Sequence, residues 1–508
     1  MRRTFWVTFQ SLVLAGVAFV TLAGGAAQAD VKLPNVFGNH MVLQQGQKNK
    51  VWGLGAAGEA VTVTIDKQRH QVTVGADGKW QVMLDALPVG GPYSLAVQGN
   101  NTVKFDDVLV GEVWICSGQS NMWWTVNLSN DSDLERETAK QPRIRMINFP
   151  NVGTQEPIWT HNTNWMVCTP DTVGNFSAVG YFFGRQLQQT LDVPVGLINN
   201  AWGGSACESW IRRDLLSADE KFKPLMDRWT QMEGQFAELS KKTDLSDEQK
   251  KQFKDLGNAM SGNSRPANIY NGVLKSHLGY GIRGTIWYQG ESNAGRAYQY
   301  RDLFPLMIKN WRDDWGQGDF PFYWVQLADY NAERPEPGDS SWAELREAQT
   351  MTMSKLPHTG EAVIIDIGEG KDIHPMNKVV VGQRLARWAL AKEYGIKIAY
   401  HSPQYKSMEK QGNKVILAFD HVDGGWRPFD VKEPRGFAIA GEDKTFVWAK
   451  AAILPDGRIE VSSDMIDKPA AVRYGWADNP VVNMYSKAGL PLTPFRTDDW
   501  PGVTMSAK

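Results

Sequence analysis

The stretch "VLVGEVWICSGQSNMWW", residues 108–124, decides the fold. It opens apolar and β-branched, breaks at Ser117-Gly118, and sets Ser120 and Asn121 ahead of Trp123 and Trp124. The apolar part does not alternate, so neither face of its strand is expected to be wet. Such strands belong to parallel sheets covered on both sides. Working outward, the same pattern recurs at residues 143–149, 193–200, 283–289, 320–328 and 362–368, with helical stretches at 176–191, 341–356 and 378–394. Strand then helix, repeated, predicts a doubly wound α/β domain over residues 108–395. A charged, helix-forming insert at 213–260 interrupts it and reads as a surface helical hairpin or lid.

On either side the pattern is β only. Residues 30–107 alternate in short runs separated by turn signals such as Asp77-Gly78 and Gly90-Gly91-Pro92, which predicts a small antiparallel sandwich. Residues 396–508 return to alternating runs and make a third, β-rich region. The first 29 residues are of another kind. Arg2 and Arg3, an apolar run over 5–22 and the small-x-small site Ala27-Gln28-Ala29 are the parts of a secretion leader. An exported protein, periplasmic or secreted, is expected, with no stable membrane insertion after cleavage.

The 508 residues carry a formal charge of −2, and losing Arg2 and Arg3 makes the chain more acidic. That balance gives no electrostatic reason for a nucleic-acid partner. Cys116, Cys168 and Cys207 leave open one disulfide with a spare thiol, or three buried thiols. Oligomeric state is open too. No cysteine sits in a CxxC, and no ligand cluster at metal spacing is visible, so neither a metal nor a cofactor is expected.

In a doubly wound sheet, ligands sit outside the carboxyl ends of the strands. The first strand ends at Ser120, in a Gly-containing turn that can present a hydroxyl beside free backbone N–H groups. Met122 stands where a G-x-S-x-G elbow has its second glycine, which argues against an α/β-hydrolase. The third strand runs into Gly203-Gly204, the fourth into Gln289, Glu291 and Asn293, and the sixth into Asp372 and His374 just ahead of Pro375. Each signal is soft alone, since serines in turns and surface Asp-x-His pairs are common. Together they set a nucleophile, oxyanion donors, a base and its orienter along one sheet edge.

These segments also carry a resemblance. "GEVWICSGQSNM", "GLINNAWGGSACESWI", "GTIWYQGESNAG" and "DIHPMNK", in that order, resemble the SGNH-hydrolase superfamily, and within it the sialate O-acetylesterase-like carbohydrate esterases. "LPNVFGNHMVLQQG" and "VRYGWADNPVVNMYSKAGLPLTPFRTD" resemble the two ends of that family, so the likeness spans nearly the whole mature chain. It implies a serine esterase removing O-acetyl groups from glycans: sialic acid esters, or acetylated xylan or xyloglucan. Ser120 would be the nucleophile, His374 the base and Asp372 its orienter. The Ser120 N–H, Gly203 or Gly204, and Gln289 would form the oxyanion hole. Trp123, Trp124, Glu291 and Asn293 would contact substrate. The sequence departs from the broader superfamily in two ways. Its third-block asparagine is replaced by Gln289 or displaced to Asn293. The pair is Asp-x-His rather than Asp-x-x-His, which leaves Asp366 and Glu369 as alternative orienters. A non-catalytic carbohydrate-binding protein is the competing class.

Overall fold

The computed structural model describes residues 30–507, and the expected leader at 1–29 lies outside the described residues. The N-terminal region is built from β1 (Val42–Gln44), β2 (Asn49–Leu54), β3 (Ala60–Ile65), β4 (Gln68–Thr73), β5 (Lys79–Leu84), β6 (Gly90–Gln98) and the long β7 (Thr102–Gly118). In β5, exposed and buried residues alternate along the strand, the period of a sheet with one wet face. β2 and β5 form one antiparallel pair, and β3, β4 and β6 join β7 in the other layer.

β7 joins two regions. It is 17 residues long, and burial becomes continuous from Val108 onward. Its first part pairs antiparallel with β6, and its last part lies between two parallel neighbours. The change of pattern at 107/108 in the sequence therefore falls inside one continuous strand.

The central layer adds β8 (Gln141–Asn148), β9 (Met166–Cys168), β10 (Val195–Asn199), β11 (Gly284–Tyr288), β12 (Phe322–Val325) and β13 (Thr359–Ala362). The strand order is β13-β12-β11-β7-β10-β8-β9, parallel throughout except for the edge strand β9. From β7 the chain first builds one side, through β8 and β9 and back to β10 beside β7, then crosses to build the other side through β11, β12 and β13. The carboxyl end of β7 is thus the topological switch point, where this architecture leaves a crevice. Successive β7 residues face opposite layers. Val113 and Ile115 pack with the helices Ala297–Trp315 and Ser341–Lys355, and Trp114 and Cys116 with Ala178–Leu191 and Lys378–Lys392.

Two local expectations differ from the structure. The sixth strand is β13, four residues that end at Ala362, where the apolar run begins. Ile364 and Ile365 are buried without being paired, because the chain is already turning toward the site. The helix Ala297–Trp315 lacked a sequence signal because Pro305 interrupts it. Proline is unfavourable in a helix interior, but here Phe304, Met307, Ile308 and Trp311 are fully buried, and that packing outweighs the lost bond.

Within the insert, helices Lys223–Ser240 and Asp247–Met260 pack on each other, with Phe236 and Phe253 stacked at 5.0 Å. The C-terminal region forms two four-stranded sheets around one apolar cluster. Cys116, Cys168 and Cys207 are buried and unpaired. Among the described residues no helix is long and apolar enough to cross a membrane, and no three His, Cys, Asp or Glu side chains converge as metal ligands.

Candidate active site

The turn after β7 is fixed by the close approach of β11. Gly118 has φ +133°, and a Cβ there would lie 2.1 Å from the Tyr288 carbonyl oxygen, so only glycine fits. Gln119 N–H donates to that same carbonyl at 2.9 Å. Gln119 Oε1 accepts from the N–H groups of Gly290 and Ser292, both at 3.3 Å. Ser120 then begins a single helical turn, Ser120–Trp123, and stands half-buried at the sheet edge.

His374 arrives from the other side of the crevice. Its Nε2 lies 2.8 Å from Ser120 Oγ. Asp372 Oδ1 accepts the His374 backbone N–H at 2.9 Å and sits 3.3 Å from His374 Nδ1. The short Asp-x-His spacing works because one carboxylate oxygen grips the backbone and the ring of the same residue. The two alternative carboxylates are engaged elsewhere. Asp366 pairs with Arg384 at 2.5 and 2.7 Å and accepts from the Tyr485 hydroxyl at 3.0 Å. Glu369 Oε1 accepts from Met376 N–H at 2.8 Å.

Trp124 stacks on the His374 ring, with centroids 4.8 Å apart and planes within 12°. Burial lowers the pKa of His374 below its usual value. The nearby Asp372 carboxylate opposes that, and the Lys378 cation adds to it. Burial thus favours the neutral imidazole, the form that can accept a proton from a hydroxyl.

Two groups to which sequence reasoning gave no role, Asn121 and Lys378, knit the turn together. Asn121 Nδ2 donates to Glu291 Oε1 at 2.7 Å and to the Ile373 carbonyl at 2.9 Å, tying the Ser120 turn to the His374 loop. Asn121 Oδ1 accepts from Lys378 Nζ at 2.5 Å. Lys378 is fully buried, with Nζ 5.4 Å from the Tyr288 ring centre and 5.8 Å from that of Trp124. Burial pulls its pKa down to about 7, against the opposing pull of Glu291, Glu369 and Asp372. Burial also raises the pKa of Glu291. Asn121 follows Ser120, and Lys378 opens the helix after His374. That adjacency was the available signal.

The expected oxyanion donors divide. A Cβ on Gly203 would lie 3.5 Å from Ser120 Cβ, so this glycine faces the serine directly. Among the described residues, the N–H groups of Ser120 and Gly203 carry no hydrogen bond. Gly204, with φ +70°, supplies the left-handed residue of the Trp202–Ser205 turn. Asn263, just past the insert, donates to the Gly203 carbonyl at 2.5 Å and holds that turn in place. Gln289 does not join them. It is fully buried, its Nε2 donates to Ser205 O and Asn293 Oδ1, and its Oε1 accepts from Tyr300. Asn293, expected to contact substrate, is likewise buried, between Cys207 N–H and Glu208. Both amides are scaffold because burial obliges them to satisfy each other. Glu291 holds Asn121, and Trp124 covers His374. Of the four expected substrate contacts Trp123, 44% exposed, is the most open.

The chain is similar to known proteins over most of its length. A family model described as a carbohydrate esterase, sialic acid-specific acetylesterase, matches residues 110–240 and 257–391. Sialate O-acetylesterase of Mus musculus is 28% identical over 94% of this chain and 97% of its own length. The Homo sapiens sialate O-acetylesterase is 28% identical over 94% and 95%. A crystal structure of a carbohydrate acetylesterase from Xanthomonas citri is 36% identical, with a TM-score of 0.81 over 93% of this chain and 100% of that one. All four strand-end segments lie within the matched residues, and so the chain belongs to the sialic acid-specific acetylesterase family of carbohydrate esterases, hydrolases of carboxylic esters.

Proposed function

We propose that this carbohydrate O-acetylesterase works through an acyl-enzyme on Ser120. His374 Nε2 takes the Ser120 proton as Oγ attacks the acetyl carbonyl. The N–H groups of Ser120 and Gly203 receive the oxyanion. The C–O bond to the sugar then breaks, and His374 returns its proton to the leaving sugar oxygen. Water, deprotonated by the same imidazole, attacks the acetyl-serine, and acetate leaves with Ser120 restored. Asp372 orients the ring and stabilises its cationic form. None of these steps calls for a metal or cofactor.

The observation that carries this reading is the 2.8 Å contact between Ser120 Oγ and His374 Nε2, with Asp372 on the far nitrogen. Acetate release from acetylated xylan, acetylated xyloglucan and O-acetyl sialic acid tests it. The purified protein should release acetate from at least one of them, and Ser120→Ala should not. Glycan binding without acetate release would point instead to a carbohydrate-binding protein.

A further inference from the structure

Trp123, three residues past Ser120, lines a cleft of about 460 Å³ that the catalytic steps do not use. That volume is within the range of small-ligand sites. Trp123 and Leu128 are part of its apolar lining, and Thr125 with four asparagines, Asn127, Asn148, Asn175 and Asn199, supplies its polar side chains. No charged residue lines it.

The fold assembles this cleft from the same strand ends as the site. Asn148 and Asn199 are the last residues of β8 and β10 and lie opposite each other in the parallel register. Asn199 Nδ2 donates to Asn148 Oδ1 at 2.8 Å, and Asn127 Nδ2 donates to Asn175 Oδ1 at 3.1 Å. These bonds fix the amides without exhausting them, since each carries two N–H groups and one acceptor. Among the described residues, Asn127 Oδ1 and Asn175 Nδ2 have no hydrogen-bond partner. Ser120 and Trp123 sit three apart in the single helical turn, so they share a face. Unlike Trp124, Trp123 stacks on no other ring among the described residues. The Leu128 edge also abuts the His374 loop. Leu128 O accepts from Trp124 Nε1 at 2.7 Å, and Asn130 N–H donates to Met376 O at 3.1 Å.

We propose that this cleft binds the sugar that bears the acetyl group, and that it selects a neutral pyranose over a sialic acid. The proposal rests on the Ser120 reading above and names its substrate class. Sugar hydroxyls both donate and accept, as amides do, and the C–H face of a pyranose fits the open indole of Trp123. A sialic acid brings a carboxylate, which finds no cation in this lining to pair with. Lys378, the cation that touches the catalytic turn, is buried and held by Asn121 Oδ1, so it offers no head group to that carboxylate.

The test compares kcat/KM for acetylated xylo-oligosaccharide, 9-O-acetyl-N-acetylneuraminic acid and 4-nitrophenyl acetate. The wild-type enzyme should favour the xylo-oligosaccharide over the sialate ester by roughly tenfold, the scale of one hydrogen bond made or lost. Trp123→Ala should lower kcat/KM for the xylo-oligosaccharide about tenfold more than for 4-nitrophenyl acetate, which has no sugar to dock. Asn127→Arg, which places a cation at the exposed rim, should raise the sialate-to-xylo-oligosaccharide ratio. A wild-type enzyme that hydrolyses the sialate ester as well as the neutral one overturns the proposal, as does a Trp123→Ala loss shared equally by all substrates. Ser120→Ala on 4-nitrophenyl acetate separates the two readings. If that activity is lost, the acyl-enzyme reading stands whatever the sugar preference. If it survives, that reading falls first.

Discussion

Ser120, His374 and Lys378 make the pH behaviour of the site predictable at the scale of single residues. His374 must be neutral to take the serine proton, and its pKa lies below the ordinary value because it is half-buried and faces Lys378. The acidic limb of kcat/KM should therefore lie below about pH 6.5, the unperturbed imidazole value. Two substitutions should move that limb in opposite directions. Lys378→Met removes a cation that disfavours imidazolium, so the limb should rise. Asp372→Asn removes the carboxylate that favours it, so the limb should fall and kcat with it. pH–rate profiles of the three proteins check both signs, and shifts in the same direction would break the charge assignment. His374→Ala should cost about 10⁴- to 10⁶-fold in kcat, and adding it to Ser120→Ala should cost little more. The meeting of Ser120, His374 and Asp372 was legible because each follows an apolar run within two residues of a glycine or within three of Pro375. Lys378 was not, because a lysine opening a helix reads as a solvated charge until the fold buries it.

At the scale of elements, the site depends on two turns with different tolerances. Gly118→Ala forces a methyl group into the Tyr288 carbonyl at a backbone angle that L-residues avoid. It should lower unfolding stability by about 3 kcal/mol or more, read from a denaturant midpoint. Asn263→Ala should leave stability nearly unchanged. By releasing the Gly203 carbonyl it should lower kcat roughly tenfold with little change in KM, less than the 10²- to 10³-fold loss of an oxyanion donor itself. A KM effect without a kcat effect would place Asn263 in substrate binding instead. The apolar strands were legible from their lack of alternation. The partners of Gly203 were not, because Asn263 lies about sixty residues on, beyond an insert whose sequence speaks only of surface helices. Gln289 misled for a related reason. A strand-end amide looks like a donor until burial shows that Tyr300, Ser205 and Asn293 already use it.

At the scale of the whole molecule, the C-terminal region braces the loop that carries His374. Tyr485 reaches Asp366, which is paired with Arg384 on the helix Lys378–Lys392. Both ends of that ion pair are more than nine-tenths buried. Asp366→Ala should therefore cost about 3 to 5 kcal/mol of stability, because the guanidinium is left without its partner. Activity per folded molecule should largely survive. A stable but inactive Asp366→Ala protein would mean that Asp366, not Asp372, orients His374. The order of β, α/β and β regions was readable from pattern alone, whereas this contact joins residues 119 apart and left no mark in local sequence. The central claim, that Ser120 is the nucleophile, has one direct measurement: reaction with a fluorophosphonate followed by peptide mass mapping. The account predicts a single adduct on Ser120, with activity lost in proportion to labelling and no adduct in Ser120→Ala. An adduct on Ser117 or another residue, or full activity with Ser120 modified, would contradict it.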